Sequence, residues 1–224
     1  MRSESALTPL GNSYTLPNGF ALAFYPTRNG VQERTEVRLV MRVGSAHESD
    51  ADEGVAHFIE HMAFAPEWIM RTLTGYGNRY GSDFNAYTGY DRTVYSFSIP
   101  SGDDSAMLQA LRVVRHWMFE MQFQRQHVER ERGIIAREIA DFASADPLSK
   151  AKLAGNPLYS RFPIGRHERV QRIDGQRLAH FYRLHYSPSA ATLIVAGPID
   201  TAACYQLARA MLADIPAPRE LVEQ

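Results

Sequence analysis

Val55-Ala56-His57-Phe58-Ile59-Glu60-His61-Met62 is the stretch on which the reading of this chain turns. It contains H-x-x-E-H in the residues His57, Glu60 and His61. On an α-helix, residues four apart project from one face, one turn apart, so both imidazoles can reach a single metal ion. Glu60 stands beside His61 at the edge of the same face. There its carboxylate can reach a water at such an ion without being a ligand. The order of Glu and His is the reverse of H-E-x-x-H. Val55, Phe58, Ile59 and Met62 make the opposite face apolar, which predicts a packed helix that holds its histidines. The plain alternative is a solvated helix face that carries His and Glu for no chemical purpose.

Composition narrows the remaining classes. At 224 residues the chain is long enough to bury a sizeable core. A formal net charge of −1 argues against nucleic acid as a partner. The single cysteine, Cys204, rules out an intrachain disulfide and a cysteine-rich metal centre. The polar start Met1-Arg2-Ser3-Glu4-Ser5-Ala6 has no apolar core of a signal peptide. The longest apolar run, Ala190 to Ala196, is too short to span a bilayer. The expectation is a protein without a membrane span, placed in the cytoplasm, or in the periplasm if the N-terminus is already processed.

Outward from the motif, Thr35 to Val43 alternates Val37, Leu39 and Met41 with Glu36, Arg38 and Arg42, which predicts a half-buried strand. Before it, Pro17-Asn18-Gly19 between Ser13–Leu16 and Ala21–Tyr25 predicts a hairpin. The motif helix is expected from about Asp52 to Phe64, with Asp50 as its cap and Pro66 as its stop. A helix over Glu67–Leu73 and a glycine-rich loop over residues 74–82, near the site, come next. Two strands follow, Phe84–Thr88 and Thr93–Ile99. Met107, Leu111, Val114, Met118 and Met121 predict one long amphipathic helix, and Gln126–Phe142 another. Ala145–Leu153 is expected as a short helix, Asn156–Ile173 as irregular, Gly175–His185 as a helix, Ala190–Ala196 as a buried strand and Thr201–Ala213 as the last helix. Pro216-Ala217-Pro218 then breaks the pattern. The order implies an α+β fold, a mainly antiparallel sheet packed against helices.

A catalytic zinc takes three protein ligands and leaves a position open for water. The charged helix near residues 130–140 offers Glu131 and Glu138, seven apart and so on one face. Pattern alone leaves both open beside the simpler reading of a solvated charged helix. The sequence resembles the N-terminal, catalytic domain of the pitrilysin/insulinase family, the inverzincin peptidases, which includes the mitochondrial processing peptidase and bacterial zinc proteases. Thr15-Leu16-Pro17-Asn18-Gly19, Gly54 to Phe64, and Asn85-Ala86-Tyr87-Thr88 with Thr93-Val94-Tyr95 carry the resemblance. So do Glu131 to Ile139, Phe181-Tyr182 with Tyr186-Ser187-Pro188, and Val195 to Asp200.

The resemblance implies one Zn2+ per chain, held by His57, His61 and Glu138. Glu138 lies 77 residues past His61, at the family's spacing for the third ligand. It implies Glu60 as general base, Glu131 as a supporting acid, and a peptide substrate bound as an added strand along Asn85, Ala86 and Tyr87. Phe64 would lie near the residue after the cut. The activity implied is that of a zinc metalloendopeptidase. The expected organisation is a loose stretch over residues 1–12, a single catalytic domain over 13–218 and a tail over 219–224, without the family's second, non-catalytic domain. A chain so built is a fragment or a small subunit that needs a partner, as a homodimer or with a non-catalytic homologous half. The alternative is a non-catalytic assembly subunit of a peptidase-like complex.

Overall fold

The computed structural model describes residues 11–27, 33–145 and 161–216. Its strands are β1 (Asn12–Thr15), β2 (Ala21–Pro26), β3 (Arg34–Met41), β4 (Phe84–Thr88), β5 (Thr93–Pro100) and β6 (Ala191–Gly197). They form one sheet in the order β1-β2-β6-β3-β5-β4. Every neighbouring pair is antiparallel except β2 with β6. The expected α+β class is what the structure has.

The hairpin forms where Asn18-Gly19 predicted it. Gly19 has φ +88°, a left-handed conformation that a side chain disfavours. Asn18 ties the turn to the far end of the chain, its Nδ2 donating to the carbonyls of Leu212 (2.7 Å) and Ile215 (3.0 Å). In β3 the alternation appears as expected, with Val37, Leu39 and Met41 buried and Glu36 and Arg38 exposed. Register carries that pattern across the sheet. Phe24, Val195, Val37, Phe97 and Phe84 are successive neighbours in one row, and Leu22, Leu193, Leu39 and Tyr95 in the next. All nine are buried, so these rows are the floor of the core.

The helices supply the other layer: α1 (Val55–Met62), α2 (Glu67–Gly75), α3 (Asp104–Arg115), α4 (Arg125–Ala145), α5 (His167–Val170), α6 (Gly175–His185) and α7 (Thr201–Leu212). Asp103, Asp174 and Asp200 cap α3, α6 and α7 through backbone N–H groups of their first turns. Three expectations need correction. The cap of α1 is not Asp50, which pairs with Arg161 at 2.6 Å; Glu48 accepts from Gly54 and Ala56 instead. The helix expected to run through Met121 changes to a π-helical turn over His116–Glu120. That turn carries Trp117, the largest fully buried side chain. Within the stretch expected to be irregular, residues 167–170 form α5. The short helix expected over Ala145–Leu153 falls outside the described residues except for Ala145, the last residue of α4. Of the loose stretch expected over residues 1–12, residues 1–10 fall outside them too and Asn12 begins β1; the tail expected over 219–224 also falls outside.

Candidate metal centre

α1 lies with its apolar face against the core: Val55, Phe58, Ile59 and Met62 are all buried to 1% exposure or less. The packing turns His57 and His61 toward α4. Their rings stand edge to face, with centroids 4.8 Å apart. From α4, Glu138 brings its Oε2 to 3.3 Å from His61 Nε2 and 3.7 Å from His57 Nε2. One ligand atom from each of the three lies within 4.8 Å of the others. Two turns earlier on the same face, Glu131 sets its Oε2 3.3 Å from His61 Nδ1. The other Glu131 oxygen accepts from Arg130 Nε at 3.0 Å, and Arg130 also donates to the carbonyl of Ala65. The charged helix α4 is therefore bound to the residues around α1 along one face.

Glu60 is buried, and its Oε2 accepts a hydrogen bond from Thr88 Oγ1 at 2.6 Å. Burial pushes the Glu60 carboxyl up, and the Thr88 hydroxyl pulls it partly back. Burial, with the second imidazole beside it, lowers His57 to about 4. Burial also acts against charge on His61, but hydrogen bonds to Glu131 and Glu138 outweigh it and raise that histidine to about 9. Glu138 is held low by its bond to His61. Glu131 is also low, since its bonds to His61 and Arg130 overcome its burial.

This donor set fits a zinc ion. Two imidazole nitrogens and one carboxylate oxygen converge, which is a common ligand set for catalytic zinc. Three carboxylates, Glu60, Glu131 and Glu138, surround the two imidazoles; Arg130 pairs with Glu131 at 3.0 Å, so a cation between the imidazoles and Glu138 would offset the remaining negative charge. One ring is oriented by a carboxylate at its far nitrogen, as metal-bound histidines usually are. The other, His57, has a buried Nδ1 without a hydrogen-bond partner among the described residues.

β4, which carries three of the expected peptide-binding residues, packs against α1. Asn85, Ala86 and Tyr87 lie on β4, the edge strand of the sheet, and Tyr87 is 57% exposed. Asn85 Oδ1 accepts from the N–H of Ala86 at 2.9 Å. Phe64, just past α1, packs among Trp117, Phe84 and Tyr80, with centroid distances of 5.5, 6.0 and 6.1 Å. Three neighbours were not legible in the sequence. Tyr80 is exposed on the glycine-rich loop, and beyond its partial burial the charges of Glu60, Glu138 and Glu131 push its phenol up. Thr88 and Arg130 act on Glu60 and Glu131 as described. Thr88 and Glu60 are 28 residues apart, so no local pattern joins them.

Known proteins resemble this chain over most of its length. The model described as "Insulinase (Peptidase family M16)" matches residues 27–167, and that described as "Peptidase M16 inactive domain" matches residues 172–224. The probable zinc protease PqqL of Escherichia coli is 32% identical over 213 residues, which are 90% of this chain and 23% of the relative. The probable mitochondrial-processing peptidase subunit beta of Arabidopsis thaliana is 31% identical, over 83% of this chain and 35% of the relative. The crystal structure of the periplasmic protease PqqL from Escherichia coli superposes with a TM-score of 0.87 at 31% identity, covering 97% of this chain and 25% of that one. The chain thus spans about a quarter of the length of PqqL. With the first family model covering well over half of the residues, including every side chain of the His57–His61–Glu138 centre, this chain belongs to the insulinase family of peptidases, family M16.

Proposed function

We propose that the chain is the zinc-holding part of a metalloendopeptidase, with one Zn2+ per chain held by His57, His61 and Glu138. The observation that carries this reading is the convergence of those three side chains beside a buried, unligated glutamate, Glu60. Zinc bound there would act as a Lewis acid and bring the pKa of a water down to about 7. Glu60, aimed by Thr88, takes a proton from the attacking water and delivers it to the leaving amine. Glu131 keeps His61 in one orientation and tautomer. The substrate is a peptide laid along the outer edge of β4, where backbone hydrogen bonds give affinity with little demand on sequence. Asn85 must release the N–H of Ala86 if that group is to pair with the peptide. Phe64, with Tyr80, faces the side chain that follows the cut.

Because the chain spans a quarter of the PqqL relative, full activity in this reading needs a second family domain, as a homodimer or with a separate non-catalytic half. Among the described residues no helix is long and apolar enough to cross a membrane. We place the chain in the cytoplasm. The Escherichia coli relative PqqL is a periplasmic protease, and recovery of this chain from periplasmic extracts would overturn that placement.

The test is Glu60→Gln, assayed for bound zinc and for hydrolysis of a quenched-peptide library alongside the unaltered chain. The variant is expected to keep one zinc and lose hydrolysis. Undiminished cleavage by the variant would sink the mechanism. Zinc without cleavage in the unaltered chain would direct the search to a partner half. Absence of zinc would favour the alternative of a non-catalytic assembly subunit.

A further inference from the structure

The two histidines of the centre are held differently. His61 is in the second turn of α1, and its far nitrogen is tied to Glu131. His57 is in the first turn, and its far nitrogen has no partner among the described residues. Its aim therefore depends on the backbone of the first turn and on packing. First turns fray, and a helix of eight residues has little cooperativity to resist fraying.

This first turn has no side-chain cap of the usual kind. Its N-cap is Gly54, at φ +91°. A Cβ at Gly54 would lie 3.0 Å from Val170 Cγ2 and 3.3 Å from the Cα of Gly165, so a capping Ser or Asp fits neither the backbone nor the space. The work falls to Glu48, which is 4% exposed. Its Oε2 accepts from the Gly54 N–H at 3.0 Å and its Oε1 from the Ala56 N–H at 2.8 Å, the residue immediately before His57. Beside it Glu53 is also buried, and Arg166 pairs with Glu53 at 2.6 Å. The start of α1 is thus pinned by one acid from the preceding loop and one arginine from a distant one.

We infer that Glu48 is a positioning residue for the metal centre, fixing the first turn of α1 so that His57 faces His61 and Glu138. The inference rests on the zinc reading given above. Gln in its place keeps one acceptor but replaces the other by an NH2, which, unlike a carboxylate or carboxyl oxygen, has no lone pair to offer a backbone N–H, so one of the two bonds is lost.

The test compares zinc dissociation constants, by chelator competition, for the whole chain and its Glu48→Gln, His57→Ala and doubly substituted forms. Glu48→Gln is expected to weaken zinc binding about tenfold with the near-UV spectrum preserved. In the His57→Ala background it should weaken binding no further, because the ligand it positions is gone. A cap that only stabilises the fold would lower the melting temperature and leave the zinc constant unchanged, and that result overturns the inference. An equal further loss in the His57→Ala background overturns it too. If Glu48→Gln does not fold, amide exchange in the unaltered zinc-bound chain decides. Slow exchange at Ala56 supports the inference, and exchange as fast as in an exposed loop contradicts it. A chain that binds no zinc defeats the underlying reading, whereas normal zinc binding unchanged by Glu48→Gln defeats this inference alone.

Discussion

Glu131 and Glu138 differ by seven positions on one helix, yet they sit differently against the histidines. Glu138 points an oxygen at both Nε2 atoms, while Glu131 reaches only the far nitrogen of His61. Glu131→Gln keeps an acceptor but removes the charge that strengthens the bond. It is expected to weaken zinc binding about tenfold without abolishing it, whereas Glu138→Gln should remove most of it. Equal losses in a chelator titration would contradict the division. At Glu48, burial pushes the carboxyl up to about 8, helped by the charge of Glu53 and opposed by the two backbone N–H bonds and Arg161. An acid with a raised folded pKa favours folding below its unfolded value. It loses that contribution as pH rises through the folded one. The fold should therefore lose on the order of a few kcal/mol between about pH 5 and pH 8 from this group. Glu48→Gln is expected to flatten that part of the stability–pH curve, and denaturant melts at both pH values check it. An unchanged slope would mean that the buried acid does not titrate in this window.

At the scale of elements, legibility in the sequence followed the range of the interactions. The α6 helix was readable to its ends because Asp174 caps it locally and its apolar spacing is regular. The β3 strand was readable because one face is wet. β5 was readable from its alternation too, although Val94 and Ser98 on one face are buried along with Thr93, Tyr95, Phe97 and Ile99 on the other. The H-x-x-E-H spacing placed both histidines on one face of α1, but its true start at Gly54 is crowded by Val170 and Gly165, more than a hundred positions away, and its cap at Glu48 lies six residues before Gly54, outside the usual N-cap spacing. The π-helical turn is of the same kind. Trp117 Nε1 donates to the carbonyl of Ala63, just past α1, at 2.9 Å, and Tyr182 donates to the carbonyl of Trp117. This chain of bonds anchors the C-terminal end of α1 as Glu48 anchors its start. Trp117→Phe leaves the buried Ala63 carbonyl unpaired and is expected to cost about 2 kcal/mol in denaturant unfolding. A loss below about 0.5 kcal/mol would show that the ring packs there without anchoring the helix.

At the scale of the molecule, the boundary between the two family matches, near residue 170, does not coincide with any boundary in the sheet. β6 belongs to the second match, yet it lies between β2 and β3, parallel to the one and antiparallel to the other. Local periodicity could show that Ala190–Ala196 is a buried strand but could not show where it goes, because its partners are on the order of 150 residues earlier in the chain. Removing residues 172–224 would take away α6, β6 and α7 together. It would expose the facing edges of β2 and β3, and it would uncover Leu22, Phe24, Val37 and Leu39, which lie beside Leu193 and Val195 in the buried rows. Unpaired edges flanking an exposed apolar surface favour aggregation over folding. A chain ending at Gln171 is therefore expected to be insoluble or to lack a cooperative unfolding transition, although it retains His57, Glu60, His61, Glu131 and Glu138. Zinc bound at one equivalent by such a chain, with a sharp thermal transition, would show that the centre folds without the central strand.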